Sequence, residues 1–219
     1  MTVGYDGHVE PDGAWQDRTD GAVFIRKLSV EEMDNNVYVI ACARTDQALL
    51  VDAAARPDRL REAMDGFDVQ AVVQTHGHWD HVRAWEALAD DPGLQVWGHP
   101  SDADLFPAPL DRHLGHGEVL QVGDLQIEVL HTPGHTPGSL QYLVHGAERP
   151  HLVTGDSLFP GGPGNTWGDP EKFTQLMDNL EEHVFGRLPD ETWVYPGHGD
   201  DTTLGAERPS LAEWRARGW

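Results

Sequence analysis

Four times in this chain a short apolar, β-branched run stops and a histidine or aspartate follows within a few residues, in a stretch marked by glycine. Val69–Gln74 gives way to Thr75-His76-Gly77-His78-Trp79-Asp80-His81, and Leu125–His131 runs into Thr132-Pro133-Gly134-His135-Thr136-Pro137-Gly138. His151–Thr154 stops at Gly155-Asp156, and Thr192–Tyr195 at Pro196-Gly197-His198. Glycine allows the sharp backbone turn at each strand end. A chain with this pattern has to lay strands side by side so that their ends deliver ligand-type side chains to the rim of a sheet.

The remaining pattern supplies the layers. Period-two or continuous apolar runs predict strands at Val23–Leu28, Val37–Ala43, Ala48–Val51, Leu94–Gly98, Glu118–Val122 and Ser139–Val144, besides the four above. Helical spacing predicts helices at Pro57–Met64, Asp80–Ala89, Asp169–Val184 and Ser210–Arg217. Strands then helix, twice over, predict an α/β fold: a four-layer αββα sandwich of two sheets face to face with helices outside. Residues 1–21, rich in Gly, Asp and Pro, are expected to form a loose N-terminal arm, and 22–219 a single domain.

Seven side chains stand out as metal ligands: His76, His78, Asp80, His81, His135, Asp156 and His198. Four of them fall within the six residues 76–81, where a strand end meets a helix start. Imidazoles and carboxylates suit zinc, and also iron or manganese. Seven ligands are too many for one tetrahedral ion, so two divalent cations are expected, with zinc favoured. Two such cations can share a water and lower its pKa toward about 7. A shared hydroxide is then the expected nucleophile, with Asp80 and Asp156 as the candidate catalytic carboxylates.

Charge narrows the partners. Lys+Arg is 15 against Asp+Glu 37, a net charge of −22 with His neutral. Such a surface repels phosphate backbones and anionic headgroups, so a small-molecule substrate is expected, and neither nucleic acid nor a membrane. No apolar run long enough to span a bilayer is present, and the first twenty residues lack the apolar stretch of a secretory signal. The single Cys42 lies in an apolar run and reads as a buried small hydrophobe. Together these predict a cytoplasmic protein. Oligomeric state is left open.

The combination HxHxDH, TPGHTPGS, TGDSLF and YPGHGD over roughly residues 22–199 resembles the metallo-β-lactamase superfamily, and more closely its thioester-hydrolase branch typified by glyoxalase II. The resemblance implies that His76, His78 and His135 hold a first metal, that Asp80, His81 and His198 hold a second, and that Asp156 bridges them. It implies that Asp52 lies below the site and orients a ligand histidine by hydrogen bonding. The reaction implied is cleavage of a thioester or small ester. Glyoxalase II binds glutathione with a C-terminal helical extension, and the stretch after His198 here is short, which leaves the carrier thiol open. Two other branches, lactonase and persulfide dioxygenase, are the alternatives. Quorum-quenching lactonases place Tyr where this chain has Phe159. Persulfide dioxygenases of the superfamily keep one iron, on counterparts of His76, His135 and Asp156. The Gly-rich loop 159–169 is expected to border the pocket, with Trp167 as an apolar wall.

Overall fold

The computed structural model of the protein describes residues 4–218. Met1–Val3 of the expected arm and Trp219 of the expected domain lie outside the described residues. The first sheet has seven strands in chain order: β1 (Gln16–Asp20), β2 (Val23–Val30), β3 (Asn35–Cys42), β4 (Gln47–Val51), β5 (Asp68–Val73), β6 (Gln95–Gly98) and β7 (Arg112–His113). It is antiparallel from β1 to β4 and parallel from β4 to β7.

The second sheet is built from β8 (Val119–Val122), β9 (Leu125–His131), β10 (Leu140–His145), β11 (Pro150–Gly155), β14 (Trp193–Pro196) and β15 (Thr202–Thr203), in the order β15-β14-β11-β10-β9-β8. Only β11 and β14 pair in parallel there. A small hairpin, β12 (Leu158–Phe159) with β13 (Gly162–Pro163), follows β11.

Period-two alternation explains how the sheets stack. In β3, Tyr38, Ile40 and Cys42 face the second sheet, while Val37, Val39 and Ala41 face outward. In β9, Ile127 and Val129 meet the first group, and Leu130 turns to the opposite face. Cys42 is fully buried between the sheets, as a small hydrophobe would be. Helices α1 (Pro57–Met64) and α2 (Trp85–Ala89) cover the outer face of the first sheet through Leu60, Ala63, Trp85 and Leu88. Helix α3 (Pro170–Asn179), continued by a π-turn over Leu180–Phe185, covers the second with Phe173, Leu176 and Met177. Two further helices, α4 (Leu204–Glu207) and α5 (Leu211–Arg217), complete that layer with Leu204 and Trp214. Each fully buried leucine contributes about 1.5–3 kcal/mol relative to exposure. Helix, sheet, sheet, helix is the expected sandwich.

Two expectations need correcting. The stretch before residue 21 is not loose throughout: β1 pairs along its full length with β2. Ahead of it, the Tyr5 hydroxyl donates to Asp201 at 2.6 Å, and the Gly7 carbonyl accepts from the buried Lys27 ammonium at 2.7 Å. The helix expected over Asp80–Ala89 is also broken. Trp79–His81 is a single 3₁₀ turn, and α2 starts only at Trp85. The Arg83 and Ala84 amides donate to the Ala54 and Ala53 carbonyls just past β4, so they are not available to a continuing helix. Among the described residues no helix is long and apolar enough to cross a membrane.

Candidate functional site

Strands of both sheets end at one rim, and the loops after them carry the seven candidate ligands. His76, His78, Asp80 and His81 follow β5 of the first sheet. His135 follows β9, Asp156 follows β11 and His198 follows β14, all of the second sheet. The structure brings all seven together. His76, His78 and His135 present nitrogens that lie within 4.8 Å of one another, and so do the ligand atoms of Asp80, His81 and His198. A third group, His76, His81 and Asp156, links the two trios. The Asp156 carboxylate sits between them, with Oδ1 3.4 Å from His81 Nε2 and Oδ2 3.4 Å from His135 Nε2 and 3.5 Å from His198 Nε2.

Glycine makes this convergence possible. At Gly197 a Cβ would stand 2.0 Å from Asp156 Oδ1, so any side chain there would occupy the carboxylate's place. Gly134 has φ +147°, and a Cβ on it would meet Leu176 Cβ at 2.4 Å. The loop bearing His135 therefore lies directly on α3.

Hydrogen bonds on the far side of each ring fix which nitrogen faces inward. His81 Nδ1 donates to Asp52 Oδ2 at 2.9 Å, His135 Nδ1 to the Asn165 carbonyl at 2.9 Å, and His198 Nδ1 to the Met33 carbonyl at 2.8 Å. His76 Nδ1 lies 3.0 Å from Thr75 Oγ1, whose own proton goes to Asp52 Oδ2 at 2.8 Å. In each of these four histidines Nε2 is left to point into the site, as a lone pair wherever the ring is neutral. His78 offers Nδ1 instead, 2.9 Å from His135 Nε2, and His81 Nε2 faces His198 Nε2 at 3.2 Å. His76 Nε2 and Asp156 Oδ1 are buried without a hydrogen-bond partner. Buried polar atoms are nearly always satisfied. Lone pairs and carboxylate oxygens converging on two points fit a pair of divalent cations.

The titration environment divides the same way. Burial, then the neighbouring His81, holds His76 well below its ordinary 6.5, and burial with His135 beside it takes His78 to about 4. Burial also lowers His135. These three imidazoles are neutral at pH 7, the state in which they can ligate. At His81 burial pulls down, but the Asp156 and Asp52 carboxylates outweigh it and push the pKa up. At His198 burial again pulls down, and Asp156 and Asp80 raise the pKa to about 9. Asp80 and Asp156 are both held below the usual carboxylate range. Burial opposes this, and the hydrogen bond to His198 at Asp80 and the His81 charge at Asp156 outweigh it.

Asp52 holds the place the resemblance implied. Three residues that the sequence reading missed support the site as well. Asn35 Nδ2 donates to Asp80 Oδ2 at 3.0 Å. The Asn165 carbonyl anchors His135. Asp102, fully buried, accepts from the Gly77 amide at 2.9 Å, the Gly138 amide at 2.6 Å and Thr136 Oγ1 at 2.7 Å, which joins the His76–His81 loop to the His135 loop. His131 does not enter the site: its ring stacks on His99 at 3.8 Å.

Known proteins show the same arrangement of sequence and fold. The Metallo-beta-lactamase superfamily profile matches residues 30–198. The chain is 34% identical over 172 residues to the probable hydroxyacylglutathione hydrolase glo2 of Schizosaccharomyces pombe, covering 75% of this chain and 64% of that one. It is 31% identical over 183 residues to the hydroxyacylglutathione hydrolase GloC of Haemophilus influenzae, covering 74% of this chain and 85% of the relative. The chain thus spans less than two thirds of the length of the fission-yeast relative. The crystal structure of ETHE1 from Myxococcus xanthus superposes with a TM-score of 0.74 at 29% identity, covering 93% of this chain and 85% of that one. The profile's match ends at His198, the last of the seven convergent side chains, so sequence and geometry mark out the same unit: the chain belongs to the metallo-beta-lactamase superfamily.

Proposed function

We propose that this metal-dependent hydrolase holds two divalent cations and cleaves a thioester or small ester. The observation that carries the reading is the completeness of both trios around the Asp156 carboxylate. His76, His78 and His135 would hold one cation, Asp80, His81 and His198 the other, and Asp156 both. Such cations, when bound, polarise a carbonyl oxygen and lower the pKa of water toward about 7. The protein's own groups do the rest. Asp52, Thr75, Asn165 and the Met33 carbonyl lock the rings, so the ligating nitrogens need no reorganisation. Asp80, whose Oδ2 accepts from Asn35, would accept a hydrogen bond from the attacking water and orient it. No serine or cysteine is required as nucleophile, and Cys42 is buried between the sheets. The relatives named as hydroxyacylglutathione hydrolases support a thioester as substrate.

The mononuclear-iron alternative draws support from the likeness to ETHE1. The intact second trio favours two cations. Metal quantification on purified protein, paired with a thioester and lactone screen, separates the readings. Two cations per chain with thioester cleavage supports the proposal, whereas one iron per chain with oxygen uptake on a persulfide overturns it. In the same assay Asp156→Asn is expected to lose most activity and at least one metal equivalent.

A further inference from the structure

Five large hydrophobic side chains stand well exposed among the described residues: Met33 at 45%, Trp79 at 62%, Leu105 at 44%, Val119 at 52% and Trp167 at 59%. Scattered singly, such residues are ordinary, and only their clustering carries information. Four of the five lie on or against the loops that carry or anchor the candidate ligands. The Trp167 ring lies 5.2 Å from that of His78 and 5.1 Å from that of His135. Trp79 stands between His78 and Asp80 in the chain. Met33 gives its carbonyl to His198 and lines, with Trp79 and Arg83, an open cavity of about 530 Å³. Leu105 packs on Gly77, its Cβ 2.6 Å from where a Gly77 Cβ would be.

Trp167 is held in position by the fold. Its φ is +54°, a left-handed conformation that a bulky residue adopts only under constraint. Asn165 supplies that constraint: its Oδ1 accepts from the Trp167 amide at 2.7 Å, while its carbonyl accepts from His135. One residue thus fixes both the candidate ligand and the indole against it. Charge on the Met33 side points the same way. Arg56 and Arg83 line the cavity, but Arg56 pairs with Asp12 at 2.9 Å and Arg83 with Glu31, and Glu32 adds a further carboxylate. These two guanidiniums are already neutralised, so this lining favours an uncharged group over a carboxylate or phosphate.

We propose that Trp167, Trp79, Met33 and Leu105 form an apolar collar that binds the hydrocarbon part of the substrate, so that the enzyme prefers esters and thioesters of uncharged aliphatic or aromatic acyl groups. This rests on the hydrolase reading above, and the test separates the two. Hydrolysis of p-nitrophenyl esters from acetyl to decanoyl is followed by steady-state kinetics. In parallel, binding of non-hydrolysable N-acetyl-S-alkylcysteamine thioethers, ethyl to decyl, is followed by calorimetry. Expected are gains of about two- to fourfold in kcat/KM and in affinity per added methylene, carried by KM. Trp167→Ala should flatten both slopes, Trp167→Phe should restore most of each, and Val119→Ala, away from the site, should keep them. Thioether binding without chain-length dependence, or an unchanged slope in Trp167→Ala, overturns the collar. A binding slope without turnover of any of these esters or of the thioesters screened above leaves the collar standing and overturns the hydrolase reading, and absence of both overturns both.

Discussion

At the scale of single residues the site depends on side chains that never face its centre. Asp52 follows β4 with φ +65°, a conformation that Asp tolerates better than most residues. From there it accepts three bonds, from the Thr75 amide at 2.7 Å, Thr75 Oγ1 at 2.8 Å and His81 Nδ1 at 2.9 Å. Asp52→Ala is expected to lower metal affinity or activity by about 10- to 100-fold with the fold intact, measured by equilibrium dialysis against a chelator series. Asp52 is legible only through the family resemblance, which implies an acidic residue below the site at the end of the apolar run Leu49–Val51. Asp102 is not legible. Its partners Gly77, Thr136 and Gly138 lie 25, 34 and 36 positions away in the chain, and no local pattern marks an aspartate whose role is to tie two loops. Asn35 was missed for the same reason: it bonds to Asp80 across 45 positions.

At the scale of elements, strands were readable where both faces are buried or alternate, as in β3 and β9. Short pairings such as β7 and β12–β13 were not, since two residues carry no period. The helix expected from Asp80 fails because Ala53 and Ala54 capture the amides of Ala84 and Arg83, a tertiary effect that propensity cannot register. Two predictions belong here. Gly134→Ala would drive a methyl into Leu176 and the Lys172 carbonyl on α3, so the His135 loop must lift. Loss of at least one metal equivalent is expected, with far-UV circular dichroism unchanged. Lys27 sits in a strand with nothing local to mark it, yet its buried ammonium donates to Asp201 Oδ1, Gly7 O and Gly199 O, each at 2.7 Å. It thereby holds β2, the N-terminal segment and the loop after His198 together. Lys27→Met leaves Asp201 buried without its cation, and a loss of about 3–5 kcal/mol in urea unfolding is expected.

At the scale of the whole molecule, acid acts on a pair that joins the sheets. His151 of β11 lies between the Tyr195 hydroxyl, 2.8 Å from Nδ1, and Asp20 of β1, 3.0 Å from Nε2. Burial lowers the His151 pKa below its ordinary 6.5. The unfolded chain therefore takes the proton first, and stability falls as pH drops through about 6.5 toward the lower folded value. Asp20 follows at more acid pH. Burial tends to raise its pKa, but the Glu148 amide and His151 outweigh that and lower it, so its contribution is present above 3.8 and lost as pH falls through the folded value. Urea midpoints at pH 8 and pH 5.5 should differ less in His151→Gln than in the parent. In metal-free protein the lowered His76, His78 and His135 act in the same direction and the raised His81 and His198 against it, in parent and variant alike, so the comparison isolates His151.

Four of the convergent side chains belong to one half of the sandwich and three to the other, so any cation they grip also rivets the halves. Under the role proposed for them, free metal at a thousandfold excess over its dissociation constant would add about 4 kcal/mol to the resistance of the whole body against coming apart. A molecule starved of its ions is then softer as well as idle, and a chelator should lower its melting temperature as surely as it stops turnover.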